Sequence, residues 1–521
     1  MVLIAGVPQR SHADDKSAPF EQARLNGIPA NEGLRRCHRY VEGWLGLKDP
    51  ETGLIPRNRK DRYWNAKDAA ADNYPFMVLS TWFTDRPLFE GAMHDMLHTE
   101  IRLTSRIGSL PDTYDFAKKG FPNAKANLDE ILFGSSEYIK DGLLPLTEWL
   151  GPSLWRERMI SILDDMWENA PVETPFGRIV SNGEELNGEM LQTLSRVYWM
   201  TGDRKYLDWA VRLGDFYLLG DHHPTRDIHS LRLRDHGCEV VSGLCELYAT
   251  ASFAMPAKRE AYRKPLHEML DRILEVGRNP DGMLYNVIDP IAGKPIGKGI
   301  ADTWGYNYNG FYTVHLIDGT EAYRDAVIKV LSSLDRYRNF PWEGQSSDGY
   351  ADSIESALNL YNREPLASVA AWIDSEIKVM WAKQQPDGVI EGWHGDGNFA
   401  RTTLMYCLWK SQGLSIHPWR EDLQLGAVTE DGRLHVSFTA GQAWSGRLLF
   451  DAPRHRTSMK LPLDWPRINQ FPEWFTADPD KRYTVTINGE AREHTGASMI
   501  KGIDLVVKDG KPLNITVNLS R

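Results

Sequence analysis

"LNGEMLQTLSRVYWMTGDRKYLDWAVRLGDFYLL", residues Leu186–Leu219, holds two helical patterns of different character on either side of a Thr-Gly-Asp turn. The first, Leu186–Met200, is apolar nearly all round, while the second, Asp203–Leu219, carries its charges on one side. A helix of the first kind has to be buried on every side, and one of the second kind lies at a surface with its apolar stripe turned inward. Outward along the chain the same alternation recurs. Amphipathic segments at 32–47, 152–170, 264–278, 321–338 and 365–383 alternate with apolar ones at 73–83, 238–253, 309–317, 352–361 and 398–413. A less regular pair, 88–103 and 129–150, completes the series.

Strict alternation of this kind is what two concentric rings of helices require. The sequence therefore predicts a mainly α protein, an (α/α)6 or (α/α)7 toroid over residues 31–418, after an N-terminal extension at 1–30. Tetratricopeptide-like arrays have near-constant repeat lengths, whereas the loops here are long and irregular, as they are where loops build a site. After Pro418 short alternating runs take over, with Asn488-Gly489 and Asp509-Gly510 as hairpin turns. Residues 419–521 are expected to form a small antiparallel, sandwich-like β domain that caps the toroid.

The chain has 521 residues and a formal net charge of −11, with no block of consecutive Lys or Arg, so nucleic acid and anionic membranes are not expected partners. No apolar run of the length of a membrane span occurs. Cys37, Cys238, Cys245 and Cys407 are scattered without a CxxC pair and read as core residues. The first residues, "MVLIAGVPQRSHADDK", lack a basic start and a full apolar stretch, which favours the cytoplasm. Ser11-His12-Ala13 resembles a cleavage site, however, and with a glycan substrate it tips the expectation toward the periplasm or the exterior.

Polar groups cluster in the loops that lead into the apolar helices: Asp72 and Asn73; Glu184, Glu185 and Glu189; His236 and Glu239; Asp302; Asp348 and Asp352; His394, Asp396 and Arg401. In a toroid these loops share one rim, the natural concave site. Asp before an apolar helix is commonly an N-cap. Glu189 and Glu239, however, fall inside apolar segments, where a carboxylate is costly unless it is paired or faces water. No GxGxxG, GxxxxGK[ST] or GxSxG motif is present, and no HExxH pattern, so neither a cofactor nor a metal is expected. Carboxylates over an aromatic floor, in a chain with 18 Trp and 20 Tyr, suit glycoside hydrolysis.

The run "DTWGYNYNGFYTVHL", Asp302–Leu316, resembles the start of an inner helix in the unsaturated glucuronyl hydrolases and related helical-toroid enzymes, where a Trp-Gly-Arg-Gly-Asn-Gly-Trp type run precedes an apolar helix. Trp304-Gly305, Asn309-Gly310 and Phe311 match, and Tyr306 to Tyr308 replace the Arg region. The helix, Thr-Gly-Asp turn and helix at Leu186–Ala210 is likewise similar to many (α/α) carbohydrate-active enzymes. The resemblance implies hydrolysis of uronate-containing oligo- or polysaccharides. The residues themselves suggest Glu239 and Asp302 as the acid–base pair, with Asp352 or Asp396 as replacement partner. Trp304, Tyr306 and Trp393 would stack on sugars, and Asn73, Glu185, His236, Asn309, His394 and Arg401 would orient hydroxyls or a carboxylate. Two alternatives stay open: a polysaccharide lyase with Tyr306, Tyr308 or His236 as base, and a non-catalytic glycan-binding protein.

Overall fold

In the computed structural model, which describes residues 12–508 and 510–520, the alternating pattern closes into two rings of helices. Ser11 and the residues before it lie outside the described part, so the cleavage-like Ser11-His12-Ala13 falls across its edge. Among the described residues, seven helices form the outer ring: α1 (His12–Leu47), α3 (His94–Thr104), α6 (Leu154–Glu168), α8 (Arg204–Leu218), α10 (Pro256–Val276), α12 (Glu321–Ser333) and α14 (Ala367–Trp381). The inner ring follows α2 (Tyr74–Thr84), the paired α4 (Leu128–Glu137) and α5 (Leu144–Leu150), α7 (Glu184–Thr201), α9 (Cys238–Ala254), α11 (Trp304–Asp318), α13 (Ser347–Tyr361) and α15 (Asn398–Ser411). Each inner helix packs on the next, and α15 returns to α1 and α2, which closes the ring with seven hairpins.

The burial follows the sequence pattern. Every residue of α15 and nearly every residue of α9 and α13 is buried, whereas α8 and α12 bury one face only. All four cysteines are buried and free. Where two inner helices cross closely, glycine is required: a Cβ on Gly188 of α7 would fall on the Val240 amide of α9, and one on Gly243 would meet the Gly188 carbonyl. No described helix is long and apolar enough to cross a membrane.

Two inner-ring segments contain π-helical turns, Ala66–Asn73 before α2 and Tyr138–Leu143 between α4 and α5. A π turn widens the helix and re-aims the side chains that follow it, and such turns concentrate at functional sites.

The C-terminal part holds eight strands: β1 (Ser415–His417), β2 (Leu423–Glu430), β3 (Arg433–Ala440), β4 (Trp444–Leu449), β5 (Arg482–Ile487), β6 (Glu490–Thr495), β7 (Ile503–Val507) and β8 (Leu513–Leu519). They form an antiparallel sheet of order β6-β5-β8-β3-β2 and a second of order β7-β4-β1, which share their own apolar core. Helix α1 runs through residues 18–30 against β2 and β3, with Asn31 Nδ2 donating to the Leu423 carbonyl at 2.6 Å. It thereby covers the open edge at β2, a strand edge that would otherwise be free to pair.

The boundary at 418 does not separate the two cores. Met459, Leu461, Trp465 and Phe471, between β4 and β5, belong to the core of the toroid. The segment Trp465–Gln470 enters the ring along its axis. Trp465 Nε1 donates to Glu246 of α9 (3.1 Å), Arg467 pairs with Glu148 of α5 (2.7 Å), and Arg196 of α7 donates to the Ile468 carbonyl (3.3 Å). Thr313 of α11 reaches the Pro466 carbonyl (3.5 Å), while Asn469 binds Glu355 of α13 and Arg401 of α15.

Candidate functional site

The loops that feed the inner helices meet at one face and enclose a cavity of about 400 Å³. A side cavity of about 240 Å³ shares Asp348, Trp393 and His394 with it. Asn469 of the axial segment lies on the lining, so the C-terminal part contributes to the floor of the funnel as well as capping the ring.

A spacing in the sequence explains the lining. Asp68 and Asp72, Glu137 and Asp141, Glu185 and Glu189, Asp235 and Glu239, and Asp348 and Asp352 are five carboxylate pairs four residues apart, four of them at the start of an inner-ring segment and Glu137 and Asp141 at the junction of α4 with its π turn. Four residues is one helical turn, so both members of a pair share a face, although like charges so placed weaken a helix. Eight of these ten carboxylates line the cavity; Glu189 and Glu239 lie buried behind it.

The cations are mostly engaged. Arg401 pairs with Asp352 (2.6 Å) and Glu355 (2.8 Å), and Lys140 with Asp141 (2.8 Å) and Glu239 (3.7 Å). His236 sits at φ +66° between Glu185, in close contact, and Asp235 at 3.1 Å. Arg57 binds Asp61 and Asp68. Among the described residues Arg232 and Lys67 alone of the lining Arg and Lys side chains make no ion pair.

These surroundings split the carboxyls into two states. Burial first, then Glu189, Asp141 and Glu185, push Glu137 well above the usual carboxylate range. Burial opposes the charge of Asp141, but the Lys140 ammonium overcomes it and holds Asp141 below its ordinary value. Glu185 is also lowered, its burial outweighed by the hydrogen bond from His236. His236 is desolvated too, yet Glu185 and Asp235 raise it to about 10. Glu137 is thus pushed toward its neutral form, while Asp141 and Glu185 are held toward their ionised forms.

Of the residues singled out in the sequence, Asp72, Glu185, His236, Tyr306, Asp348, Asp352, Trp393, His394 and Arg401 line the main cavity. Asp396 lines the side cavity. Trp393 is 62% exposed, a free aromatic face at the mouth. Trp304 is not: it is fully buried, its indole N–H donating to Ser353 (3.0 Å), which makes it core and not a sugar platform. Asn73 is buried, accepts from Tyr40 and does not reach the cavity. Asn309 is buried within the ring, away from the lining. Glu239 and Asp302 do not line it either. Both are pushed up to about 7, by burial first and then by Asp235, which for Glu239 works against the Lys140 ammonium.

Sequence reasoning passed over Asp68, Glu137, Lys140, Asp141, Arg232 and Asn469. The four-residue carboxylate spacing would have found Asp68, Glu137 and Asp141. For Asn469, 68 residues beyond Arg401 in a region read as strands, no local signal exists.

No family model and no curated protein matches the chain. Solved structures with a similar helical arrangement include a glycoside hydrolase family 76 mannosidase from Bacteroides thetaiotaomicron, 11% identical over 73% of this chain and 99% of that one, with a TM-score of 0.43. An α-1,6-mannanase from Salegentibacter sp. is 13% identical over 72% and 98% of the two chains (TM-score 0.41). The β-arabinofuranosidase of family GH127 is 14% identical over 98% and 78% (TM-score 0.39). At this level of likeness they decide neither substrate nor mechanism.

Proposed function

We propose that this protein is a glycoside hydrolase in which Glu137 protonates the departing glycosidic oxygen and Glu185 acts as the nucleophile. The observation that carries this reading is the pair itself: one carboxyl pushed toward its neutral form and one held toward its ionised form, side by side on the wall of the funnel. One oxygen of each lies within 4.8 Å of one of the other, and the two side chains share a hydrogen bond. Glycosidases place the two carboxyls about 5–5.5 Å apart for retention and about 6.5–9.5 Å apart for inversion, and a pair in contact stands nearer the first arrangement than the second. In this reading the acid–base roles move from Asp302 and Glu239 to residues on the lining, and Trp393 is the sugar platform.

The state of Tyr306 favours hydrolysis over β-elimination. Its hydroxyl donates to Asp352 (2.8 Å) and Glu355 (3.1 Å), and burial raises it well above its ordinary value, against the pull of Arg401, so its proton is held. A uronate unit, the substrate class expected from the sequence, would set its carboxylate against Arg232 and Lys67, since the ring of carboxylates repels it elsewhere. A polymeric glycan places the enzyme in the periplasm or outside the cell.

The test is incubation with uronate-containing and neutral oligosaccharides, following reducing ends together with the ultraviolet absorbance of unsaturated uronides. New reducing ends without that absorbance, and a first-formed anomer of unchanged configuration, are expected. A rise in absorbance would transfer the reaction to the lyase class with Tyr306 as base; no cleavage of any glycan would sink the hydrolase reading.

A further inference from the structure

Three ligand atoms without hydrogen-bond partners converge on one wall of the funnel. Asp68 has its Oδ2 taken by Arg57 Nε (2.6 Å) and by Asn65 Nδ2 (2.5 Å), which leaves Oδ1 free. His394 has its Nδ1 against the Gly395 carbonyl (2.9 Å), which leaves Nε2 free. That Nε2 faces Asp72 Oδ2 at 3.8 Å and Asp68 Oδ1 at 4.0 Å, and the three ligand atoms lie within 4.8 Å of one another.

Those separations are too long for hydrogen bonds, which run about 2.7–3.2 Å between heavy atoms. They suit a shared ion instead: with metal–ligand bonds of about 2.0–2.2 Å, two ligands of one ion stand roughly 3–4 Å apart. The supporting contacts match as well. A metal-binding imidazole characteristically gives its other nitrogen to a backbone carbonyl, and a ligating carboxylate is itself held by hydrogen bonds. The backbone around His394 is pinned, with Gly395 N donating to the Arg57 carbonyl (2.7 Å), and a Cβ on Gly397 would collide with the Asp72 carbonyl.

We propose that Asp68, Asp72 and His394 form a binding site for one divalent transition-metal ion, with zinc or manganese as the ions that one imidazole and two carboxylates suit best. All three residues line the cavity, so the remaining coordination positions open toward the ligand space, where water or a sugar hydroxyl would complete the shell. The site shares the cavity with Glu137 and Glu185 but takes neither as a ligand, and ion binding does not depend on hydrolysis.

The test is a calorimetric titration of chelator-treated, dialysed full-length protein with zinc chloride, repeated with manganese and calcium. One equivalent of zinc per chain is expected, with calcium at least tenfold weaker. Asp72→Asn and His394→Gln should each weaken zinc at least tenfold, Asn65→Ala by about 10–100-fold through the freed Asp68 oxygen, and substitution of the exposed His222 should change nothing. Cobalt loading of the wild type gives a readout that needs no variant: visible absorption saturating at one equivalent and displaced by zinc. The absence of a stoichiometric site in the wild type, or undiminished binding in folded Asp72→Asn and His394→Gln, would overturn the proposal, whatever the outcome of the glycan assays.

Discussion

Glu137 and Asp302 show how burial sets the chemistry of a single carboxyl. Glu137→Gln keeps the shape and removes the transferable proton, so kcat should fall by on the order of 10²–10⁴-fold while the circular dichroism spectrum stays that of the wild type. A substrate with a leaving group that needs no protonation should recover much of that loss, which a merely structural role would not allow. Asp302 makes a different prediction. Its ordinary value is 3.8, and burial, then Asp235 and Glu343, raise it to about 7 in the fold. The unfolded chain releases this proton near the ordinary value while the folded chain holds it, so the contribution to stability is fully present below about pH 4 and is lost as the pH rises toward 7. Asp302→Asn abolishes that dependence. Its melting temperature relative to wild type should climb between pH 4 and 7, by the equivalent of at most about 4 kcal/mol. A constant difference across this window would show that Asp302 ionises freely.

At the scale of elements, the crossing of α7 and α9 rests on two glycines. Gly188→Ala pushes a methyl group into the backbone of α9, and overpacking of this kind costs about 1–3 kcal/mol, so thermal unfolding should move down by several degrees. Such crossings explain why the ring was legible in the sequence: all-round apolar segments such as 238–253 can only be inner helices, whatever their exact partners. The location of the candidate site was legible too, because six of the seven inner segments are entered through a carboxylate-bearing stretch. The particular residues were not. Trp304 looks like a sugar platform from its neighbours, but as the first residue of a buried helix it turns toward Ser353 in the core. Glu137 and Asp141 were passed over because they lie in the middle of an inner segment, where the π turn at Tyr138–Leu143 turns them to the rim, and not in a loop that leads into one. Asp68 and Asp72 are one turn apart, but His394 lies too far along the chain for any spacing rule, and only closure of the ring brings it to them.

The whole molecule depends on that closure from a second direction, because the axial segment Trp465–Gln470 answers polar groups on six of the seven inner-ring segments. Arg467 is fully buried between Glu148 (2.7 Å) and Asp464 (2.9 Å). Arg467→Met leaves Glu148 buried with only Arg454, at 3.8 Å, in reach. Breaking a buried pair in this way costs about 3–5 kcal/mol, much of it from the stranded charge and not from the lost attraction. The double variant Arg467→Met/Glu148→Gln removes the charge as well, so its melting temperature should recover part of the loss, a recovery that simple loss of packing would not give. Deleting residues 415–521 goes further, since it strands Glu148, takes the Trp465 and Asn469 contacts from Glu246 and Glu355, and uncovers the apolar flank of α1. If the β region were an independent accessory, the truncated chain would stay soluble and keep its cooperative melting. The axial contacts predict the opposite, a product that aggregates on expression, with soluble yield and size-exclusion behaviour as the measurement. Asn469→Ala separates the two contributions of the segment. It leaves Arg467 and Trp465 in place and removes the amide that holds Arg401 and Asp141 (2.8 Å), so stability should change little while activity falls.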